Sequence, residues 1–173
     1  LVVLPGSRAG VIRRNLPWML ESLGLLRAAH PDLEVLVLQA TPEHADLVNQ
    51  LVAESAAVTP SARIGAKGRT ASRPVRVVTG DLHGTLARAR LAFAVSGTIL
   101  TDLLHQRLPA VVVYRVGGRV EAFLQKQLLT VPFFASTNLL AGRQVIPEYG
   151  FAGDGPRADV ERDLVALFGD GLR

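Results

Sequence analysis

The segment from residue 91 to residue 104 constrains the fold of this chain more than any other. It begins with the apolar run Leu-Ala-Phe-Ala-Val, continues through Ser96, Gly97 and Thr98, and passes directly into the helical pattern Ile-Leu-Thr-Asp-Leu-Leu. A short, wholly apolar run is typical of a strand that is covered on both faces of a parallel sheet. The turn of residues 96–98 is therefore predicted to lie between the carboxyl end of a strand and the amino end of a helix.

A turn in this position can bind an anion. Backbone N–H groups and the positive end of the helix dipole converge there, Gly97 has no Cβ to block close approach, and two hydroxyl groups add hydrogen-bond donors. The alternative is that Ser96 or Thr98 serves only as the helix N-cap, without a ligand. The rest of the chain has to decide between these two interpretations.

Apolar runs of strand length alternate with helical patterns along the chain. Strands are predicted over residues 1–4, 34–39, 75–78, 91–95 and 110–114. Helices are predicted over residues 10–29, after Thr41, after Asp81, from the turn of residues 96–98 to about 107, around 120–128 and around 160–167. Residues 55–74 are predicted to form a mobile surface loop with room for a short strand near 62–64. Residues 132–140 are predicted to be less regular, and residues 150–156 are dominated by glycine and proline. This alternation predicts an α/β fold, a Rossmann-like doubly wound parallel sheet in a single domain.

A second turn of the same kind follows the first strand, at residues 5–8, and it adds the guanidinium of Arg8. Doubly wound sheets bind ligands at the carboxyl ends of the strands, where the strand order reverses. If the order is 3-2-1-4-5-6, the first and fourth strands are neighbours at that point, and the two turns face each other across one crevice. Two helix amino termini and an arginine in one crevice are suited to a diphosphate, which favours the anion-binding interpretation.

The composition is that of an ordinary globular domain of 173 residues, with 49% hydrophobic and 20% charged residues. The absence of cysteine excludes disulfides, thiolate catalysis and cysteine zinc sites. No run reaches the roughly 18 apolar residues of a membrane span, and the first residues lack a signal-peptide pattern. Because the sequence opens inside an apolar strand, we expect it to be a piece of a longer polypeptide.

The formal net charge is +4, and the isoelectric point is near 10.3. Seventeen of the 19 basic residues are arginines, and they are scattered among acidic residues and alanines. A nucleic-acid-binding arm would show a block of basic residues instead, so nucleic acid is not predicted as a partner. The excess of positive charge favours phosphate-bearing partners, or it reflects amino-acid composition alone, without a functional role.

Several reaction motifs are absent from the sequence. It has no Walker lysine loop, no G-x-G-x-x-G and no G-x-S-x-G, which disfavours nucleoside triphosphate hydrolysis, common dinucleotide binding and serine-hydrolase chemistry. The four histidines share no paired spacing and Asp-x-Asp is missing, so no metal and no cofactor are predicted. Arginine and helix dipoles remain to neutralise a departing diphosphate, and Asp102 and Glu148 are the candidate bases near the crevice.

Four motifs, in order along nearly the whole chain, resemble the carboxyl-terminal half of lipid-A-disaccharide synthase. They are Leu-Pro-Gly-Ser-Arg at 4–8, Ser-Gly-Thr at 96–98, Pro-Ala-Val-Val-Val-Tyr-Arg at 109–115, and Asn-Leu-Leu-Ala-Gly-Arg at 138–143 followed by Pro-Glu at 147–148. The resemblance implies the donor-binding domain of a two-domain glycosyltransferase of the GT-B type. That family transfers an acylated glucosamine from UDP to an acylated glucosamine 1-phosphate and releases UDP.

The resemblance also implies a set of site residues. The nucleotide-sugar-binding residues would be Gly6, Ser7, Arg8, Ser96, Gly97, Thr98, Asp102, Arg115, Asn138 and Arg143. The six residues in the two turns would contact the diphosphate, and Asp102 would face hydroxyls of the ribose or the sugar. Asn138 and Arg143 would line the nucleotide side of the cleft. The catalytic acid/base is expected in the amino-terminal half of the family's architecture, as a partner domain outside this sequence.

The sequence departs from the family's pattern at several positions. Asp102 stands where Glu is usual and is shorter by one methylene, Thr137 stands where Pro is usual, and residues 149–151 replace a stretch that contains Gln. Two alternatives to a UDP-sugar-dependent transferase stay open. One is a nucleotide-sugar-binding module without transfer activity, and the other is a UDP-sugar epimerase built on the same fold.

A glycolipid acceptor implies contact with a membrane surface. Arg115, Arg119, Phe123 and Lys126 would form a basic and apolar patch near the mouth of the cleft. The alternative for Phe123 is a core position, because it shares helical spacing with apolar neighbours. We expect a cytoplasmic protein with a peripheral position at the inner face of the membrane.

Overall fold

The computed structural model describes residues 1–39, 41–58, 73–117 and 132–169. The strands in these residues are β1 (Val2–Leu4), β2 (Leu36–Gln39), β3 (Arg76–Thr79), β4 (Ala92–Val95), β5 (Ala110–Val116) and β6 (Glu148–Ala152). The helices are α1 (Ala9–Glu21), α2 (Gly24–Ala29), α3 (Ala45–Val58), α4 (Leu82–Arg88), α5 (Ile99–His105), α6 (Ser136–Ala141) and α7 (Arg157–Gly169), and a 3-10 turn at Pro42–His44 precedes α3.

The strands form one parallel sheet in the order β3-β2-β1-β4-β5-β6. This confirms both the predicted doubly wound α/β fold and the order on which the predicted crevice depends. The order reverses between β1 and β4, which are hydrogen-bonded neighbours with Val3 opposite Phe93. The two glycine turns that follow these strands therefore start side by side at the carboxyl edge of the sheet.

Helices cover both faces of the sheet. Since successive side chains on each strand point to opposite sides, the strands contribute to a core on each face. Val3 and Phe93 belong to a core that also contains side chains of α1, α2, α3 and α7. Val2 and Ala94 belong to a second core that also contains side chains of α4 and α5. Burial on both faces explains why these strands are wholly apolar and do not alternate with polar residues.

The predicted helix of residues 10–29 is two helices in the structure, since α1 ends at Glu21 and α2 begins at Gly24. The fully buried Ser22 donates both its hydroxyl and its backbone N–H to the carbonyl of Trp18, at 2.9 and 3.0 Å. Such a side-chain bond competes with the helical pattern, and the glycine that follows is a weak helix former. The apolar face nevertheless continues across the break.

Strand β6 was not predicted, because its sequence and the residues after it are rich in glycine. Gly150 lies inside β6, and a Cβ at this position would come within 3.2 Å of the Phe134 ring. The glycine therefore allows close packing and does not interrupt the strand. On the outer side, the Tyr149 hydroxyl donates to the carboxylate of Asp163 on α7. Burial and this carboxylate raise the pKa of Tyr149.

Some predictions fall on residues that the structure does not describe. They are the short strand near 62–64, the helix around 120–128, and with it the membrane patch at Arg119, Phe123 and Lys126. The first residues of the loop predicted over 55–74 belong to α3, which continues to Val58, and residues 59–72 of that prediction lie outside the described residues. Within the described ranges, no helix combines the length and the apolar character needed to cross a membrane.

Candidate functional site

A cavity of about 410 Å³ lies at the carboxyl ends of β1, β2 and β4, next to the point where the strand order reverses. Its lining residues come from the two glycine turns and from the helices and strands that flank them. They are Leu4, Gly6, Ser7, Arg8, Val11, Leu38, Gln39, Thr41, Leu82, Val95, Ser96, Gly97, Thr98, Ile99 and Asp102. Seven of the ten predicted site residues are in this set, so the structure brings both turns and Asp102 to one cavity.

The first turn, between β1 and α1, depends on its glycine. Gly6 has a φ of +101°, and a Cβ there would lie 2.8 Å from Cγ1 of Val11. Both features disfavour any other residue, because the left-handed region is strained for L side chains and the space is filled. Arg8 is exposed and precedes α1, and its carbonyl accepts the N–H groups of Val11 and Ile12. The turn therefore places Arg8 and the start of α1 at the cavity.

The second turn, between β4 and α5, is tethered to a distant part of the chain. Ser96 donates its hydroxyl to the carbonyl of Phe134 at 3.1 Å, and its N–H goes to the carbonyl of Val113 at 3.0 Å. Thr98 occupies the N-cap position of α5, but its side chain makes no capping hydrogen bond. A Cβ on Gly97 would meet no atom within 4 Å. Neither helix capping nor close packing among the described residues therefore explains why Gly97 and Thr98 occupy these positions. Both residues are exposed and line the cavity.

Asp102 lies in the first turn of α5, and it is the acidic residue among those that line the cavity. Its Oδ1 is 3.9 Å from Nε2 of His83, a residue of α4 that sequence reasoning did not place at the site. Both side chains are more than a third exposed, so this ion pair contributes little to stability and requires a protonated histidine. The carboxylate is therefore free to accept hydrogen bonds from a ligand.

Three predicted site residues do not line the cavity. Arg115 donates from Nε to the carbonyl of Gly153 at 2.9 Å and from Nη1 to the carbonyl of Arg14 at 3.0 Å, which joins β5 to α1 and to the residues after β6. Arg143 is exposed in the residues between α6 and β6. The assignment of these residues to the nucleotide stays a prediction, as it does for Asn138.

Asn138 is fully buried, and its side-chain amide binds backbone groups. Its Nδ2 donates to the carbonyl of Ile146 at 2.9 Å, and its Oδ1 accepts the N–H groups of Val145 and Ile146 at 2.8 and 3.0 Å. These three hydrogen bonds fix the segment that leads from α6 to β6.

Glu148, one of the two candidate bases, is also engaged by backbone. Its carboxylate accepts the N–H groups of Phe134 and Ala135 at 3.3 and 2.7 Å, at the amino end of α6. This is where a carboxylate stabilises a helix, by satisfying free N–H groups and by complementing the helix dipole. Phe134 is also the residue whose carbonyl accepts the Ser96 hydroxyl. The chain of contacts from Glu148 through Phe134 to Ser96 therefore holds the second turn.

Sequence reasoning missed the side of the cavity that β2 provides. Leu38 and Gln39 end β2 and line the cavity, together with Thr41 just beyond them and Leu82 on α4. The available signal was a polar residue at the carboxyl end of an otherwise apolar strand, beside the strand that carries the first turn. Within the described ranges, no group of three or more His, Cys, Asp or Glu residues could hold a metal ion.

The strand order and the two turns at its reversal define a Rossmann-like domain of the kind found in GT-B glycosyltransferases. In fold, the chain is similar to a chain in the "Crystal structure of GtfA/B complex", with a TM-score of 0.51, 11% identity, and coverage of 98% of this chain and 28% of that one. It is also similar to the C-terminal CMP-Kdo binding domain of WaaA from Acinetobacter baumannii, with a TM-score of 0.50, 14% identity, and coverage of 99% and 88%.

The chain belongs to the lipid-A-disaccharide synthetase family, whose model matches residues 1–161. It is 36% identical to the lipid-A-disaccharide synthase of Rhodopseudomonas palustris, over 86% of this chain and 34% of that protein. It is 34% identical to the enzyme of Acidobacterium capsulatum, over 95% of this chain and 39% of that protein. The chain therefore spans little more than a third of the length of these curated relatives.

Proposed function

We propose that this chain binds the UDP-sugar donor of a lipid-A-disaccharide-synthase-type glycosyltransferase, which transfers an acylated glucosamine from UDP to a glycolipid acceptor. The observation that carries the proposal is the convergence of the turns of residues 5–8 and 96–98 on one cavity where the strand order reverses. Membership of the family supports the class of reaction. Because the chain corresponds to about a third of its relatives, the acceptor and the complete reaction are part of the proposal.

The diphosphate of the donor would lie between the two turns. The first turn of α1 contains no acidic residue that would offset the positive end of its dipole, and the exposed Arg8 stands directly before it. A diphosphate there would accept backbone N–H groups and a charge-assisted hydrogen bond from the guanidinium. The same groups would stabilise the negative charge that develops on UDP as its bond to the sugar breaks.

Asp102 would bind hydroxyl groups of the donor. A carboxylate repels phosphate but accepts hydrogen bonds from the ribose or the sugar, and Asp102 lines the cavity one helical turn beyond the phosphate-binding turn. His83, at 3.9 Å, could orient this carboxylate when the imidazole is protonated. The role we propose for Asp102 is therefore to position the donor, with a side chain one methylene shorter than the glutamate usual in the family.

The catalytic acid/base would come from the amino-terminal domain of the two-domain architecture. Among the described residues, Glu148 is bound to two backbone N–H groups, and Asp102 is placed for hydroxyl recognition. The chain on its own would therefore bind the donor without transferring the sugar. A glycolipid acceptor would bring the whole enzyme to the cytoplasmic face of the inner membrane as a peripheral protein.

Calorimetric titration of the 173-residue chain with UDP and with uridine tests the proposal. We expect UDP to bind at least about tenfold more tightly, because charge-assisted hydrogen bonds to the phosphates contribute about 1.5–3 kcal/mol each. Titration with ADP shows how much of the affinity depends on the uracil base. A folded chain that binds UDP no better than uridine would contradict a diphosphate site between the turns.

Gly97→Ala separates binding from stability at the second turn. A Cβ at this position meets no atom within 4 Å, so the free energy of unfolding is expected to stay within about 0.5 kcal/mol of the parent. The added methyl would occupy the open side of the turn and weaken UDP binding about tenfold. Gly24→Ala, at the start of α2, also meets no atom within 4 Å and is not among the residues that line the cavity, so it is the control. Parental UDP affinity in Gly97→Ala would argue against close approach of the phosphates to this turn.

A further inference from the structure

A buried amide in the wall of the cavity has an unpaired oxygen. Gln39 is the last residue of β2 and is 1% exposed, and its Oε1 has no hydrogen-bond partner among the described residues. Burial of an amide oxygen without a partner costs free energy of folding, because the group loses its hydrogen bonds to water. An apolar side chain of similar size at this position would avoid that cost. The glutamine therefore calls for an explanation beyond the stability of the empty protein.

The position of Gln39 relative to the first turn is fixed by strand register. Val37 lies opposite Val3 in the pairing of β2 with β1, so the same register carried two residues further places Gln39 opposite Pro5, where the turn begins. Neighbouring strands are about 4.8 Å apart. A group that contacts Gln39 is therefore about one strand spacing from a diphosphate held by the turn. In a nucleotide sugar, that distance corresponds to the groups attached directly to the phosphates.

The surroundings of Gln39 make a hydrogen bond there selective. Leu4, Leu38 and Leu82 also line the cavity, so a ligand that fills it would exclude water from this apolar part of the cavity. In such surroundings a polar group that loses its partner is costly, and a site built to hydrogen-bond a ligand discriminates strongly against ligands that lack the matching group.

We propose that Gln39 is a ligand-binding residue of this cavity, whose Oε1 accepts a hydrogen bond from an N–H or O–H group of the nucleotide sugar next to the diphosphate. This inference rests on the proposed function. The nucleoside and the sugar both offer such donors, and titrations with UMP and with UDP-N-acetylglucosamine distinguish them. The cost of burying the amide in the empty protein is then offset when the ligand binds.

Gln39→Met is the variant that tests the proposal, and Thr85→Val is its matched control. Thr85 is also 1% exposed with an unpartnered hydroxyl, but it does not line the cavity. Each substitution removes a buried, unpaired polar group, so the Tm of each variant is expected to equal or exceed that of the parent. The dissociation constant for UDP-N-acetylglucosamine is expected to rise about tenfold in Gln39→Met and to stay within twofold in Thr85→Val.

Titrations with UMP identify the part of the ligand that Gln39 contacts. A similar loss for UMP and for UDP-N-acetylglucosamine supports a nucleoside contact, whereas a loss confined to UDP-N-acetylglucosamine supports a sugar contact. Equal affinities in Gln39→Met and Thr85→Val for both ligands would overturn the inference but leave the proposed function intact. A folded parent chain that does not bind UDP would overturn both.

If Gln39→Met does not fold, Gln39→Glu tests the same contact between residue 39 and the ligand. Glutamate has nearly the same shape, but it brings a negative charge to within about one strand spacing of the diphosphate. We expect the affinity for UDP-N-acetylglucosamine at neutral pH to fall more than tenfold. Parental affinity in this variant would show that Gln39 does not contact the ligand.

Discussion

Arg8→Ala is expected to weaken UDP binding by about ten- to a hundredfold. The substitution removes the guanidinium that stands before α1 at the edge of the cavity, and a hydrogen bond to a charged group contributes about 1.5–3 kcal/mol. Arg8 is exposed, and its carbonyl, which accepts the first N–H groups of α1, is retained in alanine. The fold should therefore be unaffected, and isothermal calorimetry at constant ionic strength measures the loss directly.

Arg13→Ala is the matched control for this experiment. Arg13 is exposed on α1, the helix that Arg8 precedes, carries the same charge and does not line the cavity. We expect less than a twofold change in UDP affinity, because an exposed charge beyond the cavity acts only through a field that salt screens. Equal losses in the two variants would mean that net charge, and not contact with the phosphates, determines affinity.

Asn138→Ala is expected to lower the free energy of unfolding by about 2–3 kcal/mol. The buried amide makes three hydrogen bonds with the backbone of Val145 and Ile146, and its removal leaves those groups unpaired next to a small cavity. Urea denaturation followed by circular dichroism measures the change. Because the segment between α6 and β6 loses its hydrogen bonds to Asn138, the midpoint of the unfolding transition is expected to move to a lower urea concentration. The transition itself is expected to stay cooperative.

Leu140→Ala provides the comparison for Asn138→Ala. Leu140 lies on the same helix and is 78% exposed, so its truncation should cost no more than about 0.5 kcal/mol. UDP affinity of the two folded variants then tests the nucleotide contact predicted for Asn138. A specific loss of affinity in Asn138→Ala would support that contact, and an unchanged free energy of unfolding would refute the structural role.

The architecture could be predicted from sequence because its signals are local. Wholly apolar strands followed by Gly6 and Gly97 turns indicate a parallel sheet with ligand-binding turns at one edge, and the strand order 3-2-1-4-5-6 brings those turns together. The positions of Arg8 and Asp102 at the cavity follow from the same reasoning, since Arg8 directly precedes the helix after β1 and Asp102 lies in the first turn of the helix after β4.

Other features could not be predicted because they depend on contacts between distant segments. Gly150 resembles a strand breaker until the Phe134 ring is placed against it. Gln39 resembles an ordinary strand end until the sheet buries it beside the cavity. A family motif that contains Asn138 does not state which way its side chain faces, and in the structure its amide binds the backbone of residues 145 and 146.

The contact between Ser96 and Phe134 sets a lower limit on the size of an independent binding unit. A fragment that ended at Val116 would keep every residue that lines the cavity and five of the six strands. It would nevertheless lose the carbonyl that holds the Ser96 hydroxyl and the Glu148 carboxylate that anchors residues 134 and 135. Truncation studies or domain exchanges therefore have to retain the chain through β6, because the outermost strand holds a turn that lies two strands away.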